Sequence, residues 1–154
     1  MSTAEAALIG LGERFERRLL EYMDAWLAWA PLMRAARAEA ESDLAGFSGA
    51  IQRNGCDAAQ ARMSELEDDM QPLAEEIIAA PATSLGGLRA KALVALWEAL
   101  PASAFHHGAF EFRDDGEASR SLFEAVAGTT GLLPMLRELE ARLEADAERK
   151  DDDG

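Results

Sequence analysis

Residues 15–40 read FERRLLEYMDAWLAWAPLMRAARAEA. Within them Phe15, Leu19, Tyr22, Trp26, Trp29, Met33, Ala36 and Ala40 follow one another at steps of four and three. That rhythm keeps side chains on one narrow strip of an α-helix, the strip that lies against a partner helix. The stretch predicts a helix from Ser2 or Thr3 to about Asp43 or Phe47, with Glu5 in a first turn whose dipole favours an acid. Glu13 with Arg17, and Arg17 with Glu21, stand four apart as opposite charges on the outer face. Pro31 removes a backbone donor and crowds the preceding turn, so a kink or short break is expected near Trp29 to Pro31.

Outward from this helix, Gly46 to Asp57 carries Gly46, Gly49, Asn54 and Gly55 and reads as a helix end and connection. No alternating strands flank Asn54-Gly55, so the pair reads as a helix C-cap rather than a hairpin turn. Asp57 and Gln60 have capping-box spacing. Ala59, Met63, Leu66, Met70, Leu73 and Ile77 then repeat the four–three rhythm. Two such seams joined by a polar turn predict an antiparallel, coiled-coil-like helical hairpin over residues 3–80. Pro72 sits at a level similar to Pro31 counted from the turn, which fits one shared bend.

Pro81-Ala82-Thr83-Ser84 closes the second seam, and Thr83 or Ser84 caps a helix reaching about Leu100, with Leu85, Leu88, Ala92, Leu96 and Trp97 as its buried residues. Gly86 and Gly87 weaken its first turn but permit a close helix contact. Ala102 to Asp114 is irregular, and Phe110 and Phe112 are suited to covering the end of the bundle. Asp114 with Glu117 caps a helix carrying Leu122, Phe123 and Val126 that stops at Gly128 to Gly131. Pro134 opens a last helix striped by Leu136, Leu139 and Leu143. Valine occurs only at Val94 and Val126, and isoleucine only at Ile9, Ile51, Ile77 and Ile78, so a sheet has little to build from. The expected fold is all-α: one domain over residues 1–149, with three shorter helices (84–149) packed on one end of the hairpin and a disordered acidic tail at 150–154.

Residues 75–92, EEIIAAPATSLGGLRAKA, resemble a segment of small helical bacterial proteins of unassigned function, some of them encoded in prophage-like or mobile regions. The resemblance implies a bacterial source. It brings no catalytic motif and no functional residues.

The 29 acidic and 15 basic residues leave a net charge of −14. That field repels phosphate backbones and anionic membranes, so direct nucleic-acid or membrane binding is not expected. It suits solubility or a basic protein partner. Cys56 is the only cysteine, which excludes an internal disulfide and a thiolate metal cluster within one chain. The first residues lack a signal-peptide pattern, and no apolar run reaches the ~18 residues of a membrane span. The cytoplasm is the expected compartment.

Chemistry has few footholds. His106 and His107 are the only histidines, and with Glu111, Asp114 and Asp115 they form the one candidate metal set. Adjacent histidines point apart, and no Glu-x-x-His spacing is present. Glu65, Glu67, Asp68, Asp69, Glu75 and Glu76 read as a solvated acidic face or a contact for a basic partner. No nucleophile elbow, phosphate loop or cofactor motif appears. Tyr22, Trp26, Trp29 and Met33 are the candidate interaction residues. A hairpin this long exposes seam that 70-odd remaining residues cannot cover, so a homodimer is expected. The function expected is that of a non-enzymatic adaptor, regulator or assembly factor. The alternatives are an acidic decoy that inhibits a basic nucleic-acid-binding protein, and a metal- or ligand-binding helical enzyme.

Overall fold

A computed structural model describes residues 2–40, 46–99, 105–106, 109–110 and 117–152. The helices are α1 (Thr3–Ala40), α2 (Gly46–Asn54), α3 (Cys56–Ala79), α4 (Leu85–Ala99), α5 (Glu117–Thr130) and α6 (Leu133–Asp152). The fold is all-α. Among the described residues the only extended pairing is a two-residue antiparallel ladder, β1 (Phe105–His106) with β2 (Ala109–Phe110), in which Phe105 faces Phe110. The chain divides into two compact units, residues 1–16 with 73–154, and residues 17–72. α1 and α3 each contribute to both.

In the unit of residues 17–72, α1 and α3 lie side by side in opposite directions. Arg18 reaches Asp69 at 3.5 Å, the Tyr22 hydroxyl donates to Glu67 at 3.1 Å, and Asn54 Nδ2 donates to the Leu32 carbonyl at 2.8 Å. Residue numbers fall on α3 as they rise on α1, as two facing seams require. Leu19, Tyr22, Ala36 and Ala40 of the first seam and Met63, Leu66 and Met70 of the second are buried.

Several local expectations are corrected here. The connection between the seams is not a polar turn but a helix, α2, with Ala50 buried. Gly55 follows it with φ +82°, a conformation glycine adopts without strain, so the C-cap reading of Asn54-Gly55 holds. Asp57 does not cap α3. Asn54 does so from two residues before the helix, its Oδ1 accepting the Cys56 N–H at 2.9 Å. Pro31 lies inside α1 without breaking it. Glu21 pairs with Arg18 at 2.9 Å and Arg62 at 3.4 Å rather than with Arg17.

In the other unit, residues 3–16 of α1 run parallel to α4. Gly12 faces Ala90 so closely that a Cβ on Gly12 would stand 2.6 Å from the Ala90 Cβ. One turn further, Arg89 forks onto Glu16 with bonds of 2.5 and 2.8 Å. Phe15 meets Trp97 edge to face, centroids 5.7 Å apart and planes at 75°. α4 packs on α5, and α5 on α6. α5 ends in a Schellman turn: Gly131 takes φ +78°, and Leu132 N–H returns to the Ala127 carbonyl at 2.8 Å, with both Ala127 and Leu132 buried. Pro134 sits in the first turn of α6, and Leu136, Leu139 and Leu143 are buried as the stripe predicts. Arg137 joins α6 to α5, reaching Glu140 at 3.0 Å and Glu124 at 3.1 Å. α6 continues to Asp152, past Lys150, where the sequence predicts a disordered tail.

Candidate interaction surface

The most constrained place in the unit of residues 1–16 and 73–154 is the corner between α3 and α4. Five residues, Ala80 to Ser84, must end one helix and start the next, which leaves carbonyls on one side and N–H groups on the other without helical partners. Lys91 Nζ donates to the last carbonyls of α3, Ile77 at 3.0 Å and Ile78 at 2.9 Å. Ser84 caps α4, its Oγ accepting the Gly87 N–H at 3.1 Å.

The Thr83 and Ser84 donors converge on Glu5. Its carboxylate accepts Thr83 N–H at 3.3 Å, Thr83 Oγ1–H at 3.2 Å, Ser84 N–H at 3.0 Å and the Ser84 hydroxyl. Glu5 is itself in the first turn of α1, where Ser2 Oγ accepts its N–H at 3.1 Å. The Ser84 hydroxyl is the largest influence on Glu5 and outweighs desolvation; with the Thr83 and Ser84 backbone donors it holds the carboxyl below its ordinary 4.5. Glu16 is likewise lowered, first by its hydrogen bond to Arg89. The folded chain therefore binds fewer protons than the unfolded chain near pH 4.5, so the stability these groups lend is present above that value and lost as pH falls through their depressed pKa values. Thermal melts followed by circular dichroism from pH 7 to 3 will show a falling Tm for the wild type below about pH 5. The slope will be shallower for Glu5→Gln, whose amide cannot titrate.

Glycines let this corner close. A Cβ on Gly86 would stand 2.8 Å from Ile9 Cδ1, and one on Gly87 would run into Glu5 Oε1 and meet Leu8 Cδ2 at 3.0 Å. The consequence appears on the opposite side of the helix. Leu85 and Leu88, predicted as buried, are 55% and 41% exposed, and Ile78 is 57% exposed. The inner side of the first turn of α4 is filled by the Ile9, Glu5 and Leu8 side chains lying against Gly86 and Gly87, and Leu85 and Leu88 face out. Together with Leu20 these are the exposed large apolar residues of the described chain. Leu85 and Leu88 are three apart on one face of α4, and Ile78 lies in the last turn of α3, where Lys91 reaches its carbonyl. Sequence reading passed over them because Leu85 and Leu88 fit a buried stripe and Ile78 is one residue off the α3 seam.

The residues predicted for interaction lie in the unit of residues 17–72. Tyr22 is 2% exposed, and its hydroxyl is spent on Glu67; burial, then Glu67, drives its pKa far above 10. It is an internal strut. Trp26, Trp29 and Met33 are half-buried along α1, with Trp29 Nε1 itself buried. Cys56 is buried, and burial first, then Asp57, raises its thiol pKa, with Trp29 acting in the other direction. A raised pKa suits an inert thiol. His107, Glu111, Asp114, Asp115 and Phe112 lie outside the described residues, and His106 is placed only as part of β1. Among the described residues no group of three or more His, Cys, Asp or Glu stands together as a metal site, and no helix is long and apolar enough to cross a membrane. Glu65, Asp68, Asp69, Glu75 and Glu76 are exposed on α3, and Glu67 is half-buried. No family model, curated protein or solved structure matches this chain.

Proposed function

We propose that the chain is a non-enzymatic helical interaction protein, an adaptor, regulator or assembly factor that works through its helical faces. The observation that carries this reading is the α3–α4 corner, where Ile78, Leu85 and Leu88 are about half exposed next to helix ends held by Glu5 and Lys91. Exposing apolar side chains forgoes about 25 cal/mol for each Å² left in water, and a cluster of them marks a surface that another molecule covers. The half-buried row Trp26, Trp29 and Met33 supports a second mode, self-association through α1. Sedimentation velocity over a range of concentrations tests it. The wild type is expected to associate, and Trp26→Ala/Trp29→Ala, with unchanged helical circular dichroism, to weaken association about tenfold or more, as loss of one interface hot spot does. Equal association in both would remove α1 from the interface.

A further inference from the structure

Asn54 is the chain's only asparagine, and Gly55 follows it. Before glycine, an asparagine side-chain amide is open to attack by the next backbone nitrogen, because glycine has no Cβ to shield its N–H and turns freely about φ. The pair sits at the joint between α2 and α3, with Gly55 at φ +82°. In the folded chain the Asn54 side chain is held at both polar atoms. Nδ2 donates to the Leu32 carbonyl of α1 at 2.8 Å, and Oδ1 accepts the Cys56 N–H at 2.9 Å. Asn54 is also the last residue of α2, and a helical backbone fixes its ψ. Closing a ring from Cγ to the Gly55 nitrogen requires Asn54 to leave that ψ and to release both bonds.

α2 is weak as a helix in its own right. It has nine residues, Gly46 to Asn54, too few to be stable alone, and Gly49 in its interior weakens it further. Its buried Ala50 brings only a methyl group to the packing. Such an element opens locally at a smaller free energy than global unfolding requires.

We propose that Asn54 is a deamidation site gated by the α2–α3 joint. When the joint opens, hydroxide takes the proton of the Gly55 N–H and the nitrogen attacks Asn54 Cγ. The Cγ–Nδ2 bond breaks as Nδ2 takes a proton from water and leaves as ammonia. Water then hydrolyses the five-membered imide. Opening at Cγ gives aspartate, and opening at the backbone carbonyl gives isoaspartate, in which the chain runs through the former side chain. The sum is amide plus water to carboxylate plus ammonium, with no change of oxidation state. The joint does not recover its bonds afterwards. A carboxylate at position 54 still accepts the Cys56 N–H but has no proton for the Leu32 carbonyl, so two acceptors face each other where a hydrogen bond stood. Isoaspartate adds a carbon to the backbone and spoils the turn that Gly55 closes. α1 then loses a tie at Leu32, between Trp29 and Met33.

The test follows the full chain by intact mass during incubation in mild base. Fragmentation after digestion at mildly acid pH, where imide closure is slow, separates aspartate from isoaspartate. Conversion to a mixture of the two is expected at position 54, about tenfold or more slower in the folded chain than in guanidinium chloride beyond the unfolding transition. Ala50→Gly, which weakens α2 without touching Asn54, is expected to speed conversion in the folded chain about fivefold or more, the weight of one interior glycine in a helix. If that variant does not fold, denaturant held below the wild-type transition takes its place and must speed conversion likewise. Asn54→Asp is expected to melt below the wild type. An Asn54 that stays intact in the unfolded chain overturns the site. Equal rates in folded and unfolded chain, or a folded-chain rate that neither Ala50→Gly nor sub-transition denaturant raises, overturn the gate. An Asn54→Asp chain that melts like the wild type overturns the loss at Leu32.

Discussion

Phe15→Ala is expected to destabilise the chain by about 3–5 kcal/mol in urea unfolding followed by circular dichroism. Phe15 is fully buried and stands edge-on to Trp97, so truncation removes both its buried area and the aromatic contact. The surrounding helices cannot collapse far into the gap. Gly12 and Ala90 already hold α1 and α4 at close approach one turn away. A loss of this size is a large share of the 5–15 kcal/mol typical of a domain. Leu20→Ala, at an exposed position on the same helix, is expected to change stability by no more than about 0.5 kcal/mol. Similar losses for both variants would mean that Phe15 is not part of the packed interior described here.

Gly12→Leu is expected to destabilise by about 1–3 kcal/mol or more through overpacking, although glycine is a poor helix former. Two effects oppose each other. Replacing glycine inside a helix recovers up to about 1 kcal/mol of helix propensity. The new Cβ, however, meets the Ala90 Cβ at 2.6 Å and the Ala90 Cα at 3.2 Å, and backbone cannot swing aside as a side-chain tip can. The clash wins. Gly12→Ala alone should lose stability, and Gly12→Ala/Ala90→Gly should recover part of it, because the second change removes one of the two colliding carbons. A fully additive pair in thermal melts would show that the helices do not touch at this point.

The seams were legible because they rest on local periodicity. Phe15, Leu19, Tyr22, Met63, Leu66, Met70 and Ile77 are buried where steps of four and three put them. The Leu136, Leu139 and Leu143 stripe was legible for the same reason. α2 was not, because two glycines within four residues mimic a connection, and only tertiary burial of Ala50 repays their cost. Nor was the role of Glu5. Its spacing from Ser2 satisfies a local cap, while the donors it serves are 78 and 79 residues away in sequence. The corner was misread in a revealing way. Leu85 and Leu88 carry the apolar signal of a buried stripe, but it is Gly86 and Gly87 that lie against the α1 side chains Ile9, Glu5 and Leu8. Periodicity reports that a face is apolar; it does not report whether that face meets the molecule's own core or another molecule. The metal set at His106, His107, Glu111 and Asp114 had no periodicity to support it, and most of it lies outside the described residues.

On the reading proposed above, this chain acts by presenting helical surface to another protein. Native mass spectrometry of the wild type and of Ile78→Gln/Leu85→Gln/Leu88→Gln, each isolated gently from the cells that make it, tests this most directly. An additional protein at fixed stoichiometry is expected on the wild type and not on the variant. A wild type that flies alone, or an identical assembly on both forms, would contradict it.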